Sequence, residues 1–141
     1  MDFKEIASYA VILVIVLIAA QHLNVVVSGS MEPAFYRGDI VVIEKSDFLG
    51  IHEFNPRDVK VGDVVVYDAA WYDQPVIHRV INITQINGST YYVIKGDNND
   101  SPDPYYVSPN QINERVVTFG DNLCVIPYVG YLSLWLRGSS K

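Results

Sequence analysis

An apolar run at the N-terminus limits what this chain can fold into. Ile6 to Ala20 is apolar except for Ser8 and Tyr9, and Leu23-Asn24-Val25-Val26-Val27 follows Gln21-His22. As one helix from Ile6 to Val27 it would reach about 33 Å, matching a hydrocarbon core of roughly 30 Å. A cleaved secretory signal has a shorter apolar region of about 7–15 residues and a small-x-small exit. Here Ile18-Ala19-Ala20 puts a branched residue two before the small one. Span length therefore favours an uncleaved membrane anchor over residues 1–27. Its orientation is weakly encoded, because Lys4 is offset by Asp2 and Glu5. A short N-terminal tail ordinarily stays inside, which would place the rest of the chain outside.

Residues 28–137 then form a single domain, and Gly138-Ser139-Ser140-Lys141 reads as a disordered end. A chain of 141 residues holds one domain and hardly two. Hydrophobic residues at 50% against 18% charged argue against disorder. A net charge of −6 argues against a nucleic-acid partner. The single cysteine, Cys124, forms no intramolecular disulfide.

The pattern after Val25 predicts a mainly β fold of antiparallel sheets with one short helix. Ile40 to Ile43 and Val64 to Tyr67 each follow a Gly-Asp pair, Gly38-Asp39 and Gly62-Asp63, and runs bounded in this way read as strands. Two copies are too few for a repeat, so the pairs read as similar turns. Val76 to Ile86, Asn87-Gly88 and Thr90 to Lys95 form a hairpin signal, since Asn-Gly suits a type I′ turn. Asp47 to Lys60 and Asp97 to Pro109 read as loops. Ser108-Pro109-Asn110-Gln111 predicts a helix over about Pro109 to Glu114. Val116 to Phe119, Leu123 to Ile126 and Tyr128 to Leu136 complete the strands; the last is too short to span a bilayer.

Ser30 is the candidate nucleophile, held between Gly29 and Pro33 in Ser28-Gly29-Ser30-Met31-Glu32-Pro33. A serine hydroxyl needs a base to remove its proton. Of the three histidines, His22 ends the apolar segment, His52 lies in a loop and His78 lies on a predicted strand. Counting back along the hairpin from Ile86 opposite Ser89 places His78 opposite Asp97, with Cβ atoms about 4.5–5.5 Å apart. A carboxylate there would orient the imidazole and favour its charged form. A β-bulge would shift the register by one and remove the alignment. Asp97, Asp100 and Asp103 form an acidic cluster without the glycine and terminal glutamate of an EF loop. There is no His-Glu-x-x-His motif either, so no metal or other cofactor is expected.

Four stretches now stand in order: Ser28 to Pro33, Arg37-Gly38-Asp39, Val76-Ile77-His78-Arg79-Val80 and Lys95-Gly96-Asp97-Asn98-Asn99. In this order, behind an N-terminal anchor, the chain resembles the type I signal peptidases of peptidase family S26. It looks like the archaeal and endoplasmic-reticulum branch, where histidine takes the base position that is lysine in most bacterial enzymes. The resemblance runs from residue 1 to about 136.

The resemblance implies Ser30 as nucleophile, His78 as general base and Asp103 as third triad member, with Asp97 as a supporting acid. The hairpin register points to Asp97 instead, and both hold if the loop folds Asp103 onto the other ring nitrogen. Ser28 would assist the oxyanion hole beside the Ser30 N–H. The implied activity is membrane-bound serine endopeptidase cleavage of signal peptides after small residues of the Ala-x-Ala type. The implied partners are secretory preproteins and the lipid bilayer, with translocon or accessory subunits besides. The catalytic domain would stand on the extracytoplasmic side, of an archaeal plasma membrane or alternatively of the endoplasmic reticulum. The alternatives are an anchored β-domain that binds without catalysis, and a relative of signal peptidase devoted to a narrow substrate.

Overall fold

The computed structural model describes residues 1–127. The expected strand Tyr128 to Leu136 and the tail from Gly138 lie outside the described residues. The chain opens with helix α1, Phe3–Gln21. Asp2 caps its first turn, its side chain accepting from the Glu5 N–H at 3.0 Å. The helix has a mean hydropathy of 2.2 and none of its residues is buried. At 19 residues it reaches about 28 Å.

The apolar run is therefore divided, and the single helix expected from Ile6 to Val27 stops early. Past His22 the chain turns extended, and β1, Leu23–Val25, pairs antiparallel with β2, Ile40–Lys45. The β-branched Val25, Val26 and Val27 suit a strand better than a helix, and the pairing with β2 decides in favour of the sheet.

The sheet continues with β3 (Val64–Tyr67), β4 (Val76–Ile86), β5 (Ser89–Lys95) and β6 (Ile112–Val116). Its order is β1-β2-β6-β3-β4-β5, with every pair antiparallel. Two short strands, β7 (Thr118–Phe119) and β8 (Asn122–Leu123), make a separate hairpin, and β9 (Val125–Ile126) returns to β2. The stretches expected as Val116 to Phe119 and Leu123 to Ile126 are thus each split between two pairings.

All four residues of β3 are buried, as in a strand covered on both faces. Alternation sends Val65 and Tyr67 into one core with Val80, Tyr92, Ile94 and Ile112. Val64 enters a second core with Val41, Ile43, Met31, Phe35 and Val116. The two Gly-Asp turns are alike in detail. Gly38 and Gly62 have φ of 95° and 99°. Each aspartate side chain accepts from the N–H three residues earlier, Asp39 from Tyr36 and Asp63 from Lys60, both at 2.9 Å.

The helix expected over Pro109 to Glu114 is only a 3-10 turn, Pro109–Gln111. Gln111 accepts from the Ser108 N–H at 2.9 Å, as the capping pattern implies. Ile112 and Val116 are buried in a strand between β2 and β3, and this pairing overrides continuation of the helix.

The register of the β4–β5 hairpin also differs from the simple count. Ile86 faces Ser89 and Asn82 faces Val93, but Val80 faces Ile94 and Arg79 faces Lys95. Ile81 is the extra residue of a bulge, and it moves the pairing of the preceding residues by one.

Candidate active site

The segment after β1 is pinned on both sides. Val26 is buried, donates to the Asp39 carbonyl at 2.8 Å and accepts from the Gly38 N–H at 2.9 Å. Met31 and Phe35 are buried in the second core. Between them, the Ser30 carbonyl accepts from the Asn98 N–H at 2.8 Å, and the Gly29 carbonyl accepts from Asn98 Nδ2 at 3.1 Å. The turn after β5 therefore clamps the backbone around Ser30.

That turn approaches so closely that Gly96 has no room for a side chain. A Cβ on Gly96 would lie 2.7 Å from the Ser30 carbonyl oxygen and 3.0 Å from Nε2 of His78. Gly96 is a site residue that sequence reasoning missed. Its place in Lys95-Gly96-Asp97-Asn98-Asn99, beside the clamping Asn98, was the available signal.

His78 lies on β4, on the face it shares with buried Val76 and Val80. It is 5% exposed. Nε2 is 3.1 Å from Ser30 Oγ, and Nδ1 is 2.8 Å and 3.0 Å from the two carboxylate oxygens of Asp103. A carboxylate only accepts, so Nδ1 carries the hydrogen and Nε2 is left to receive the serine proton. Asp103 reaches this place because its N–H donates to the Ile94 carbonyl at 2.8 Å, folding the acidic loop back along β5.

Asp97 is not opposite His78. With the bulge at Ile81, its carboxylate takes a two-pronged bond from Arg79, Nε and Nη2 each at 2.9 Å. Arg79 also donates to the Gly62 carbonyl at 2.8 Å. Asp97 thus braces the turn that clamps Ser30. The acidic residues do not gather: Asp103 serves His78 and Asp97 serves Arg79.

Two aromatic residues extend the line of bonds beyond Asp103. The Tyr67 hydroxyl donates to Asp103 Oδ2 at 2.6 Å, and Trp71 Nε1 donates to the Tyr67 oxygen at 3.3 Å. Burial, and then the Asp103 carboxylate as acceptor, push the Tyr67 phenol well above its usual range, so it remains a donor. A tyrosine at the end of a predicted strand carried no sequence signal for this role. Ser28 Oγ lies 3.2 Å from Ser30 Oγ. Among the lysines, Lys45 pairs with Glu114 and Lys95 donates to the Gly96 carbonyl.

Ser30 and His78 open on a cleft of about 570 Å³, whose apolar lining includes Val25, Val27, Val66 and Ile77. Val26 bonds with the Gly38–Asp39 segment, so Val25 and Val27 turn their N–H and C=O groups to the other edge. Val80 exchanges bonds with Gly62 and Asp63 on the β3 side. Ile77 therefore directs its backbone groups away from β3, beyond the last β4–β5 pair at Arg79 and Lys95. Among the described residues these two strand edges are unpaired, and both line one cleft beside a hydrogen-bonded serine, histidine and aspartate.

A family model described as signal peptidase, peptidase S26, matches residues 2–85. The chain belongs to the signal peptidase S26 family. It is 37% identical to an uncharacterized protein of Methanocaldococcus jannaschii, MJ0260, over 89% of this chain and 88% of that one. It is 34% identical to the signal peptidase complex catalytic subunit SEC11 of Plasmodium falciparum over 80% of this chain. It is 37% identical to SEC11 of Verticillium alfalfae over 79%. It spans 57% and 62% of the length of these two SEC11 relatives. Within the signal peptidases it falls in the archaeal and endoplasmic-reticulum branch.

Proposed function

We propose that the chain is a membrane-anchored serine endopeptidase that removes signal peptides from secretory preproteins at the outer membrane surface. One observation carries the reading. Ser30 Oγ, the His78 ring and the Asp103 carboxylate form one chain of hydrogen bonds beside a cleft whose strand edges are unpaired among the described residues.

Ser30 attacks the scissile carbonyl while His78 Nε2 takes its proton, and Asp103 steadies the resulting imidazolium. The negative oxygen is met by the Ser30 N–H, which has no hydrogen-bond partner among the described residues. Rotation of the Ser28 hydroxyl away from Ser30 supplies a second donor. His78 then protonates the leaving amine. It next activates the water that hydrolyses the acyl-enzyme.

The preprotein enters extended, as a strand between the edges at Val25–Val27 and Ile77, with main-chain bonds for affinity. Alternate side chains face the apolar walls, whose branched residues favour small side chains before the scissile bond. This agrees with a preference of the Ala-x-Ala type. Helix α1 is the anchor and the β-domain stands on the extracytoplasmic side, which puts Ser30 close to the surface where a cleavage site emerges. Similarity to the Methanocaldococcus protein along most of both chains favours an archaeal plasma membrane.

The test is cleavage of a preprotein by the purified chain in liposomes. Ser30→Ala and His78→Ala abolish cleavage while leaving the circular dichroism and melting profile intact. Cleavage retained by either variant removes the role assigned to that residue.

A further inference from the structure

Two tight turns in this chain share one backbone geometry and differ in one residue. At Asn87-Gly88 φ is 52° and 79°; at Leu49-Gly50 it is 53° and 83°. Both close two-residue hairpins, one between Ile86 and Ser89 and the other between Phe48 and Ile51. The second is bonded in both directions, Phe48 N–H to the Ile51 carbonyl at 2.8 Å and Ile51 N–H to the Phe48 carbonyl at 2.9 Å. Two successive positive φ values suit Asn, Asp or Gly at the first position. Asn87 satisfies that preference. Leu49 does not, since a left-handed leucine is sterically disfavoured.

Among the described residues no packing compensates for Leu49, which is 87% exposed; Ile51 beside it is 63% exposed. A residue that breaks both the local steric rule and the burial rule marks a place where function outweighs fold.

The location says which function. His22 directly follows α1, and Phe48 packs on it, ring centroids 4.8 Å apart with the planes at 71°. The same His22 ring has Nδ1 2.8 Å from the Ile18 carbonyl, inside the last turn of the helix. Its Nε2 is 2.8 Å and 2.9 Å from the two oxygens of Glu53. Glu53 in turn accepts from the Lys45 N–H at 2.7 Å. The base of the Asp47–Glu53 excursion is therefore fastened to the end of α1.

We infer that the Phe48–Ile51 turn is a membrane-contacting tip, inserting Leu49 and Ile51 into the interface of the leaflet that α1 leaves. This rests on the reading that α1 spans the bilayer. Two apolar side chains on a narrow turn are far too little area for a stable protein interface, whereas shallow insertion beside an existing span needs no more. The stretch from Ser46 to Pro56 contains no lysine or arginine but holds Asp47 and Glu53. Attraction to anionic headgroups therefore plays no part, and insertion is apolar and indifferent to lipid charge. Asp47, whose carboxylate accepts from the Gly50 N–H at 2.8 Å, keeps the neck of the turn polar and limits the depth. Together with α1, this contact sets the tilt of the β-domain, and with it the direction in which the cleft faces the surface.

The test uses the full chain with Cys124→Ser, reconstituted in phosphatidylcholine vesicles. A thiol-reactive dye is placed at Leu49→Cys, at Asn87→Cys as the matched turn, and at Leu13→Cys within α1. The dye at position 49 is expected to be quenched by chain-brominated lipid at least about twofold more than the dye at 87. It is expected to be shielded from aqueous iodide as well, equally with and without phosphatidylglycerol. A position-49 dye that behaves like the position-87 dye, while the position-13 dye is quenched by lipid, overturns the tip and leaves the spanning helix standing. Failure at position 13 overturns the spanning reading and the tip with it. Iodide shielding at position 49 without lipid quenching indicates a protein contact and overturns the proposal.

Discussion

The Tyr67 hydroxyl donates to Asp103 Oδ2 at 2.6 Å, and the same oxygen stands 2.8 Å from Nδ1 of His78. The buried phenol therefore fixes the carboxylate that fixes the histidine. Tyr67→Phe keeps the packing and removes this charge-assisted bond, worth about 1.5–3 kcal/mol. The expected result is a fall in kcat of about tenfold with KM nearly unchanged, read from initial rates on a preprotein series.

Tyr67 also makes stability depend on pH on the alkaline side. Its folded pKa is raised above the ordinary value of 10.0, so folding favours the protonated phenol. That contribution is fully present below about pH 10 and is lost as pH rises through the folded value. Melting temperatures between pH 9 and pH 11.5 should fall more steeply for the native sequence than for Tyr67→Phe.

The two aspartates separate by mechanism. Asp103→Asn leaves the shape but faces His78 with an amide, and kcat should drop by about 10³–10⁴-fold. Asp97→Asn loosens the Arg79 bond and the turn that clamps Ser30. Its pair is partly exposed, so the loss should be about tenfold with a lowered melting temperature. Parallel kinetics and thermal melts of the two variants distinguish the roles.

Gly96→Ala tests the clamp. The added Cβ meets the Ser30 carbonyl and His78 Nε2 at distances that force one of them to move. Misplacing the nucleophile or base by about 1 Å costs on the order of 10²-fold. Cleavage should fall to that extent while the far-ultraviolet circular dichroism stays unchanged.

Much of this arrangement was legible in the residues. The Gly-Asp turns, the strands at Val64 to Tyr67 and Val76 to Ile86, and the Asn87-Gly88 hairpin depend on local φ preferences and alternation, which act within a few residues. The approach of Ser30 to His78 was legible only through resemblance, because the two are joined by packing between distant strands. The bulge at Ile81 left no clear local sign, because apolar residues stand at both even and odd positions on either side of it: Val76, Ile77 and Val80 before, Ile83 and Ile86 after. It escaped because an extra residue in one strand is defined only against its partner.

By itself the sequence determined an apolar N-terminal segment, an antiparallel β-domain and a short set of polar residues suited to acyl transfer. The tertiary structure decided where the helix yields to β1, which acid meets His78, and that Asp97 belongs to Arg79. The physical reason is range. Turn geometry, alternation and span length are properties of neighbouring residues. A hydrogen bond such as that between Tyr67 and Asp103 exists only after separate segments have packed together, at a register that one inserted residue can change.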